Sequence, residues 1–349
     1  MNRIPVGILG ATGTVGQRFV QLLADHPLFE VAAVAASDRT AGNRYGSACH
    51  WLLPTPMPDS VRDLIVRPVG SELDCHVVFS ALPSAVARPV EERLAREGYA
   101  VCSNASAHRL DADVPLLIPE VNADHTALID VQRRRRGWKG LITTSANCST
   151  TQLALTLKPL QHAFGLRKVS VVTMQAISGA GYPGVPAMDI LGNVIPFIGG
   201  EEDKMERESL KLLGTLQGDR IDDGPFVVSA QCNRVPVRDG HTECVSVEFE
   251  RRVPINELVA AWEAFRASPE IANLPGSPTH PIVVRHEPDR PQPALDRYAG
   301  KGMSIVVGRV RACPVLDVKF VVVGHNTLRG AAGGAIHNAE LLAAQGYLS

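Results

Sequence analysis

No apolar run in the chain approaches the roughly 18–20 residues that a membrane-spanning helix needs, so a bilayer is not an expected partner. The first ten residues, Met1 to Gly10, lead into a short strand-like run and lack the longer apolar region of a secretory signal, which sets the expectation of a cytoplasmic protein. A dominant charge is missing too: 35 Lys and Arg against 36 Asp and Glu leave a formal net charge of −1, and nothing recommends nucleic acid as a partner. Cys-x-x-Cys pairs are absent. The seven cysteines, Cys49, Cys75, Cys102, Cys148, Cys232, Cys244 and Cys313, form an odd set that fits neither a disulfide framework nor a zinc site, so reduced thiols and no metal are expected. Internal repeats and low-complexity segments are missing as well. The one basic run, Arg133 to Arg136, reads as a solvated loop.

What is present is globular: 349 residues, 45% apolar and 20% charged, enough for two domains with a core each. Val6 to Leu9 reads as a strand, and Val15, Phe19, Leu22 and Leu23 then recur at helical spacing. Between them lies Gly10-Ala11-Thr12-Gly13-Thr14-Val15-Gly16. Glycines in such a strand-to-helix turn permit close backbone approach to a diphosphate seated on the helix N-terminus, the setting of a dinucleotide site. A second strand, 31–36, ends in Ser37-Asp38-Arg39-Thr40, where the adenosine ribose is normally read. Two hydroxyls and a guanidinium against one carboxylate favour NADP over NAD, with Asp38 turned outward; Arg39 reads equally as a solvated loop charge.

Strand-like runs at 65–69, 77–81, 100–102 and 141–144 alternate with helix-like stretches such as 85–97, the rhythm of a mostly parallel sheet. Past residue 148 the rhythm changes. Long β-rich stretches at 168–177, 226–232, 242–250 and 304–323, with helices near 201–216 and 255–267, predict an α+β domain with a largely antiparallel sheet. Proline and glycine crowd 274–293, which reads as a surface excursion, and 328–344 reads as a terminal amphipathic helix.

Three places carry candidate chemistry. In Ser145-Ala146-Asn147-Cys148-Ser149-Thr150-Thr151-Gln152-Leu153 a cysteine falls in the first turn of a helix, a position that favours the thiolate. The dipole contributes only about 0.3–1 kcal/mol, so a second group is needed, and a small buried thiol is the alternative. His241 leads into the strand 242–250 with the parity of Val245, Val247 and Phe249, so it enters from the apolar face. There it is either a satisfied core histidine or the base partner of Cys148. Glu201 and Lys204, at i, i+3 in a helix start, share a face that could address the two charges of a zwitterion, although the helix dipole alone explains acids there.

Seven blocks in order, GATGTVGQ, SNASAHR, SANCSTTQ, QAISGAG, GGEEDK, NRVPVRDGH and HNTLRGAAGG, resemble aspartate-semialdehyde dehydrogenases of the archaeal and fungal type over nearly the whole chain. The resemblance implies an α/β plus α+β fold. Its N-terminal Rossmann-type NADP-binding domain would span 1–147 and be completed by the C-terminal helix 326–349; a glyceraldehyde-3-phosphate-dehydrogenase-like catalytic and dimerisation domain would span 148–325. It implies NADPH-dependent reduction of L-aspartyl 4-phosphate to L-aspartate 4-semialdehyde and phosphate, in a homodimer or homotetramer. Carried over by position, Cys148 is the nucleophile and His241 the acid/base. Arg234 grips the α-carboxylate, Glu201 takes the α-amino group, Lys204, Arg109 and Asn147 bind phosphate, and Gln175 helps hold the acyl group. NADP falls to Gly10, Thr12, Gly13, Thr14, Val15, Ser37, Arg39 and Thr40, joined by Ser178, Gly179, Gly181 and Asn326. Two enzymes share the cysteine and the hydride step: N-acetyl-γ-glutamyl-phosphate reductase, whose substrate has no free amine for Glu201, and malonyl-CoA reductase, which expels CoA. A non-catalytic NADP-binding protein would be expected to have lost Cys148, His241 or Arg234.

Overall fold

The computed structural model describes residues 3–348, so Met1, Asn2 and Ser349, at the ends of the expected domain ranges, lie outside the described residues. The chain forms two compact units. Among the described residues the first comprises 3–117, 124–145 and 331–348, the second 118–123 and 146–330.

In the first unit seven strands, β1 (Ile4–Leu9), β2 (Phe29–Ala36), β3 (Arg67–Pro68), β4 (Val77–Ser80), β5 (Ala100–Ser103), β6 (Leu116–Leu117) and β7 (Leu141–Ser145), lie in the order β3-β2-β1-β4-β5-β7-β6. Every pairing is parallel. Parallel strands are covered on both faces, which is why β4, β5 and β7 are buried at every residue. The order reverses between β1 and β4, the place where such sheets hold ligands outside the carboxyl ends of their strands. At that end Gly10 turns the chain with φ +75°, and a Cβ on Gly16 would lie 2.2 Å from the Gly10 carbonyl oxygen. Helix Thr14–Leu23 can therefore sit against the turn only because residue 16 has no side chain.

The C-terminal helix, Gly333–Ala344, belongs to the same core: Ala335, Ile336, Ala339 and Leu342 pack with Val6, Phe19, Phe29 and Phe79. It differs from the amphipathic expectation. Residues 328–332 form a π turn with Ala331 outside helical dihedrals, and the helix proper is buried nearly all round. Burying a helix on all sides means burying its polar residues, and these are paired. Glu340 accepts from His26 Nε2 at 2.8 Å and contacts His337 Nδ1 at 3.0 Å, while His26 Nδ1 accepts the Leu28 and Phe29 amides. The basic run is likewise not a loop. It is the last turn of helix Leu128–Arg136, where cations complement the helix C-terminus, and Arg136 binds Asp113 and Asp111.

The second unit holds β8 (Leu166–Gln175), the hairpin β9 (Thr215–Gln217) and β10 (Arg220–Asp222), β11 (Val227–Arg234), β12 (His241–Phe249), β13 (Ile282–Arg285), β14 (Ile305–Ala312) and β15 (Val318–Gly324). Six of these form a sheet in the order β11-β8-β12-β15-β14-β13. The sheet is mixed: its three central pairings are antiparallel, but at its two edges β11 runs parallel to β8 and β13 parallel to β14. The 274–293 segment is therefore more than an excursion, since it supplies edge strand β13. One face carries helices Cys148–Phe164 and Ile255–Ala264, with Trp262 edge-on to Phe320 at 4.9 Å and its indole N–H on the Thr156 carbonyl. The other exposes Val172, Val227 and Cys244. No helix among the described residues is long and apolar enough to cross a membrane.

A buried donor left without its acceptor typically costs about 1–3 kcal/mol. Glu340→Ala strips His26 and His337 of a shared acceptor and is expected to destabilise the first unit by about that amount for each, read as a lower denaturant midpoint.

Candidate active site

The second unit assembles its polar residues around the start of helix Cys148–Phe164. Asn147 caps it: Oδ1 accepts from the Ser149 and Thr150 amides at 3.0 and 3.1 Å, and Nδ2 donates to Glu201 Oε1 at 2.7 Å. Both ends of the amide are thereby assigned, and the Asn147 backbone N–H donates to buried Glu208 at 2.7 Å. Cys148 is the first helical residue, where the amide groups of the first turn give a positive potential.

His241 opens β12 and is fully buried, with Glu243, Val245, Val247 and Phe249 on its face of the strand. Its Nε2 lies 3.2 Å from Cys148 Sγ, and its Nδ1 accepts the Ala176 amide at 3.0 Å. An imidazole accepting at Nδ1 carries its proton on Nε2, so His241 donates toward sulfur. Burial, then the neighbouring Arg234 and His325, push its pKa down to about 3, which leaves the ring neutral. Room for this arrangement comes from two glycines. A Cβ on Gly179 would lie 2.8 Å from Arg234 Nη1 and 3.0 Å from His241 Cε1, and one on Gly330 would lie 2.7 Å from the Cys148 Cβ.

Glu201 is the other centre. It is buried in the first turn of helix Glu201–Leu212 and accepts from Asn147, from Gln175 at 3.2 Å and from Lys204 at 3.4 Å. Lys204 stays one-third exposed. Arg234 ends β11, donates to the Ala176 carbonyl at 2.8 Å, and lies near enough to Cys148 and Glu201 to feel their charge, while burial lowers its pKa. Asn326 joins Ser178 at 2.8 Å to the Gly240 amide at 2.9 Å, and Gly181 follows with φ +73°. Cys148, Asn147, Gln175, Ser178, Gly179, Gly181, Glu201, Lys204, Arg234, His241 and Asn326 thus all belong to the second unit.

The remaining candidates belong to the first. Arg109 is buried and donates to the Asn104 carbonyl at 2.9 Å. Gly10, Thr12, Gly13, Thr14 and Val15 form the turn into the first helix, where Gly13 is the N-cap and a Cβ on it would find open space apart from the Gly10 oxygen at 3.4 Å. The Thr14 hydroxyl is buried without a hydrogen-bond partner. A backbone cradle with an unpaired hydroxyl fits a diphosphate. Ser37, Asp38 and Arg39 are all exposed after β2, so exposure does not single out Asp38.

Comparison with known proteins agrees with this layout. A family model described as "Semialdehyde dehydrogenase, NAD binding domain" matches residues 5–129, and one described as "Semialdehyde dehydrogenase, dimerisation domain" matches 157–329. The aspartate-semialdehyde dehydrogenase of Archaeoglobus fulgidus is 54% identical over 97% of this chain and 98% of its own length. The chain belongs to the aspartate-semialdehyde dehydrogenase family. The Methanothermobacter thermautotrophicus member is 52% identical over 97% of this chain and 99% of its own. The crystal structure of the Candida albicans aspartate-semialdehyde dehydrogenase with NADP is 40% identical and superposes with a TM-score of 0.91, covering 99% of this chain and all of that one.

The His241 tautomer has a measurable consequence. Iodoacetamide alkylation of Cys148 should follow one ionisation, that of the thiol itself, with no second inflection from His241 between pH 5 and 7, because His241 stays neutral above about pH 3. His241→Gln, which can still donate, should retain more of the alkylation rate than His241→Ala; equal losses would remove the donor role.

Proposed function

We propose that the chain reduces L-aspartyl 4-phosphate with NADPH to L-aspartate 4-semialdehyde and phosphate, through a thioester on Cys148, on the path to lysine, threonine, methionine and isoleucine. The observation that carries this reading is the Cys148–His241 contact in one polar cluster with Glu201 and Arg234. A sulfur that can be acylated thereby stands near one carboxylate and one guanidinium, the two charges that a free amino acid's ammonium and carboxylate require.

The first unit, with its C-terminal helix, is proposed to hold the dinucleotide, and the second unit the reacting groups. Gly10, Thr12, Gly13, Thr14 and Val15 would hold the diphosphate, and Ser37, Arg39 and Thr40 the ribose 2′-phosphate. Ser178, Gly179 and Gly181 would join them, with Asn326 near the nicotinamide. When bound, NADPH supplies a hydride.

The chain's own residues do the rest. The Cys148 thiolate attacks the acyl carbon and the carbon–oxygen bond to phosphate breaks, with Arg109, Asn147 and Lys204 receiving the leaving charge. Arg234 holds the α-carboxylate and Gln175 the acyl group. Glu201 takes the α-ammonium, which replaces one of its present donors; Lys204, the most exposed of the three, is the one free to turn to phosphate. After reduction the carbon–sulfur bond breaks to give aldehyde, and His241 Nε2–H steadies the departing sulfur. The tautomer supports this donor half of the acid/base role; the base half would require Nδ1 to give up the Ala176 amide. The open face of the mixed sheet, with Val172 and Val227 exposed, is where a second copy would pair, and such a chain would work in the cytoplasm.

The test is phosphate-dependent reduction of NADP by L-aspartate semialdehyde, run beside malonyl-CoA-dependent oxidation of NADPH. Activity in the first is expected; activity only in the second would replace this reading with a CoA-dependent one. Running the first with NAD measures the cofactor preference. Cys148→Ser should abolish turnover while NADP affinity stays near the parent value, and lost affinity would make the cysteine structural.

A further inference from the structure

Beneath the Cys148–His241 contact lies a carboxyl group that the chemistry above leaves without a task. Glu243 is two residues after His241 on the same face of β12, in a row completed by Val245, Val247 and Phe249, and is fully buried. Gln152 is four residues after Cys148, one turn down its helix, and is buried too. Its Nε2 donates to Glu243 Oε1 at 2.7 Å. The other end of the Gln152 amide lies over Gly324, the residue of β15 that pairs with His241: a Cβ there would be 2.4 Å from Gln152 Oε1. One side chain thus spans the helix that carries the sulfur and both strands that carry and flank the imidazole.

We propose that the buried Gln152–Glu243 link is a positioning device that holds the Cys148 helix in register with the His241 strand during the reaction. The proposal rests on the reading of Cys148 and His241 as the reacting pair. Spacing supports it, because i+4 on a helix and i+2 on a strand each return to the face of the starting residue.

The carboxyl is held as the neutral acid. Its register neighbours are Thr173 on β8 and Val322 on β15, Gln152 meets it from the helix, and Cys232 on β11 and Cys244 beside it are the titratable groups that sense its charge. None of these is a cation. Its Oε2 is buried without a hydrogen-bond partner, a placement that an ionised carboxylate could not bear. Burial accordingly raises its pKa from 4.5 to about 8, against which the Gln152 hydrogen bond acts only partly. A neutral group here adds no negative charge beside His241, which keeps the imidazole in its uncharged donor form.

The test compares the full-length chain with Glu243→Gln, with Gln152→Asn, and with the double variant Gln152→Leu/Glu243→Leu. The double variant removes both partners, so no buried polar group is orphaned. Three quantities are read: kcat and KM, the pH profile of Cys148 alkylation by iodoacetamide resolved by mass spectrometry, and the thermal midpoint from pH 5 to 8. Glu243→Gln should stay within about threefold of the parent in kcat and alkylation. Gln152→Asn, one methylene too short, and the double variant should lose about 10- to 100-fold in kcat with KM little changed, and their alkylation profiles should shift.

The thermal readings address the neutral carboxyl. The unfolded group ionises near 4.5 and the folded one near 8, so the parent loses stability as pH rises through that window and Glu243→Gln does not. The variant should therefore gain several degrees on the parent between pH 5 and 8. Parent-like kcat and alkylation in both Gln152→Asn and the double variant would overturn the link, and a flat thermal difference would overturn the neutral acid. If the parent shows no activity with either acyl donor, the proposed function falls, while the alkylation comparison still decides whether the link sets the dyad.

Discussion

The site depends on a single approach, that of the Cys148 sulfur to His241 Nε2 at 3.2 Å, between residues 93 positions apart in the chain. Neither partner could meet the other if its own element were free to move. Asn147 fixes where the helix begins by holding the Ser149 and Thr150 amides, and the Ala176 amide fixes the imidazole ring and its tautomer from the far side. Gly179 and Gly330 are glycines because a methyl group at either would collide with this pair or with Arg234. A helix dipole contributes only about 0.3–1 kcal/mol, so most of what favours a thiolate must come from the Nε2–H donor and the Arg234 charge, both made effective by burial.

Burial also explains why the two units are built differently. The first hides its strands on both faces, which leaves the carboxyl ends and the glycine turn as the natural place for a ligand. The second covers one face with the Cys148 helix and leaves the other open, so Cys148 and His241 meet on the covered face, where low polarity strengthens each hydrogen bond. Low polarity penalises any unpaired charge equally. Glu201 answers this with three donors and Glu340 with His26 and His337, while Glu243, which has only Gln152, answers it by remaining protonated.

Local signals read well wherever one residue type had one physical reason. The helix start at Cys148, the strand parity of His241 and the glycine turn are short-range patterns, and each was legible because capping, alternation and positive φ act within a few residues. The misreadings share the opposite cause. Arg133 to Arg136 form a helix end and not a loop because Asp111 and Asp113, distant in sequence, pair with Arg136. The 282–285 strand hides in a proline-rich stretch because its β partner, β14, starts about twenty residues later. Glu243 shares the parity of His241 and was legible as a carboxyl in an apolar row, but only Gln152, from another element, gives it meaning.

The same reasoning sets one cysteine of the seven apart from the rest. Burial pushes the Cys75, Cys102 and Cys232 thiols up to about 12 and raises that of Cys49, which keeps these four protonated at neutral pH; the Cys244 thiol, on the open face of the sheet, is raised as well. Cys313 runs the other way, lowered by the Leu316 and Val315 amides in the β14–β15 hairpin, so thiolate character alone does not set Cys148 apart. What separates Cys148 is that its sulfur meets a buried imidazole donor in a cluster that also contains a carboxylate and a guanidinium. A thiolate at Cys313 has the Leu316 and Val315 amides, the Ser246 hydroxyl and the Lys319 charge around it, and these stabilise the anion without a carboxylate and a guanidinium converging beside it. The reactivity proposed for Cys148 therefore rests on the convergence of elements around it, and that convergence is what the capped helix, the buried strand and the two glycines together provide.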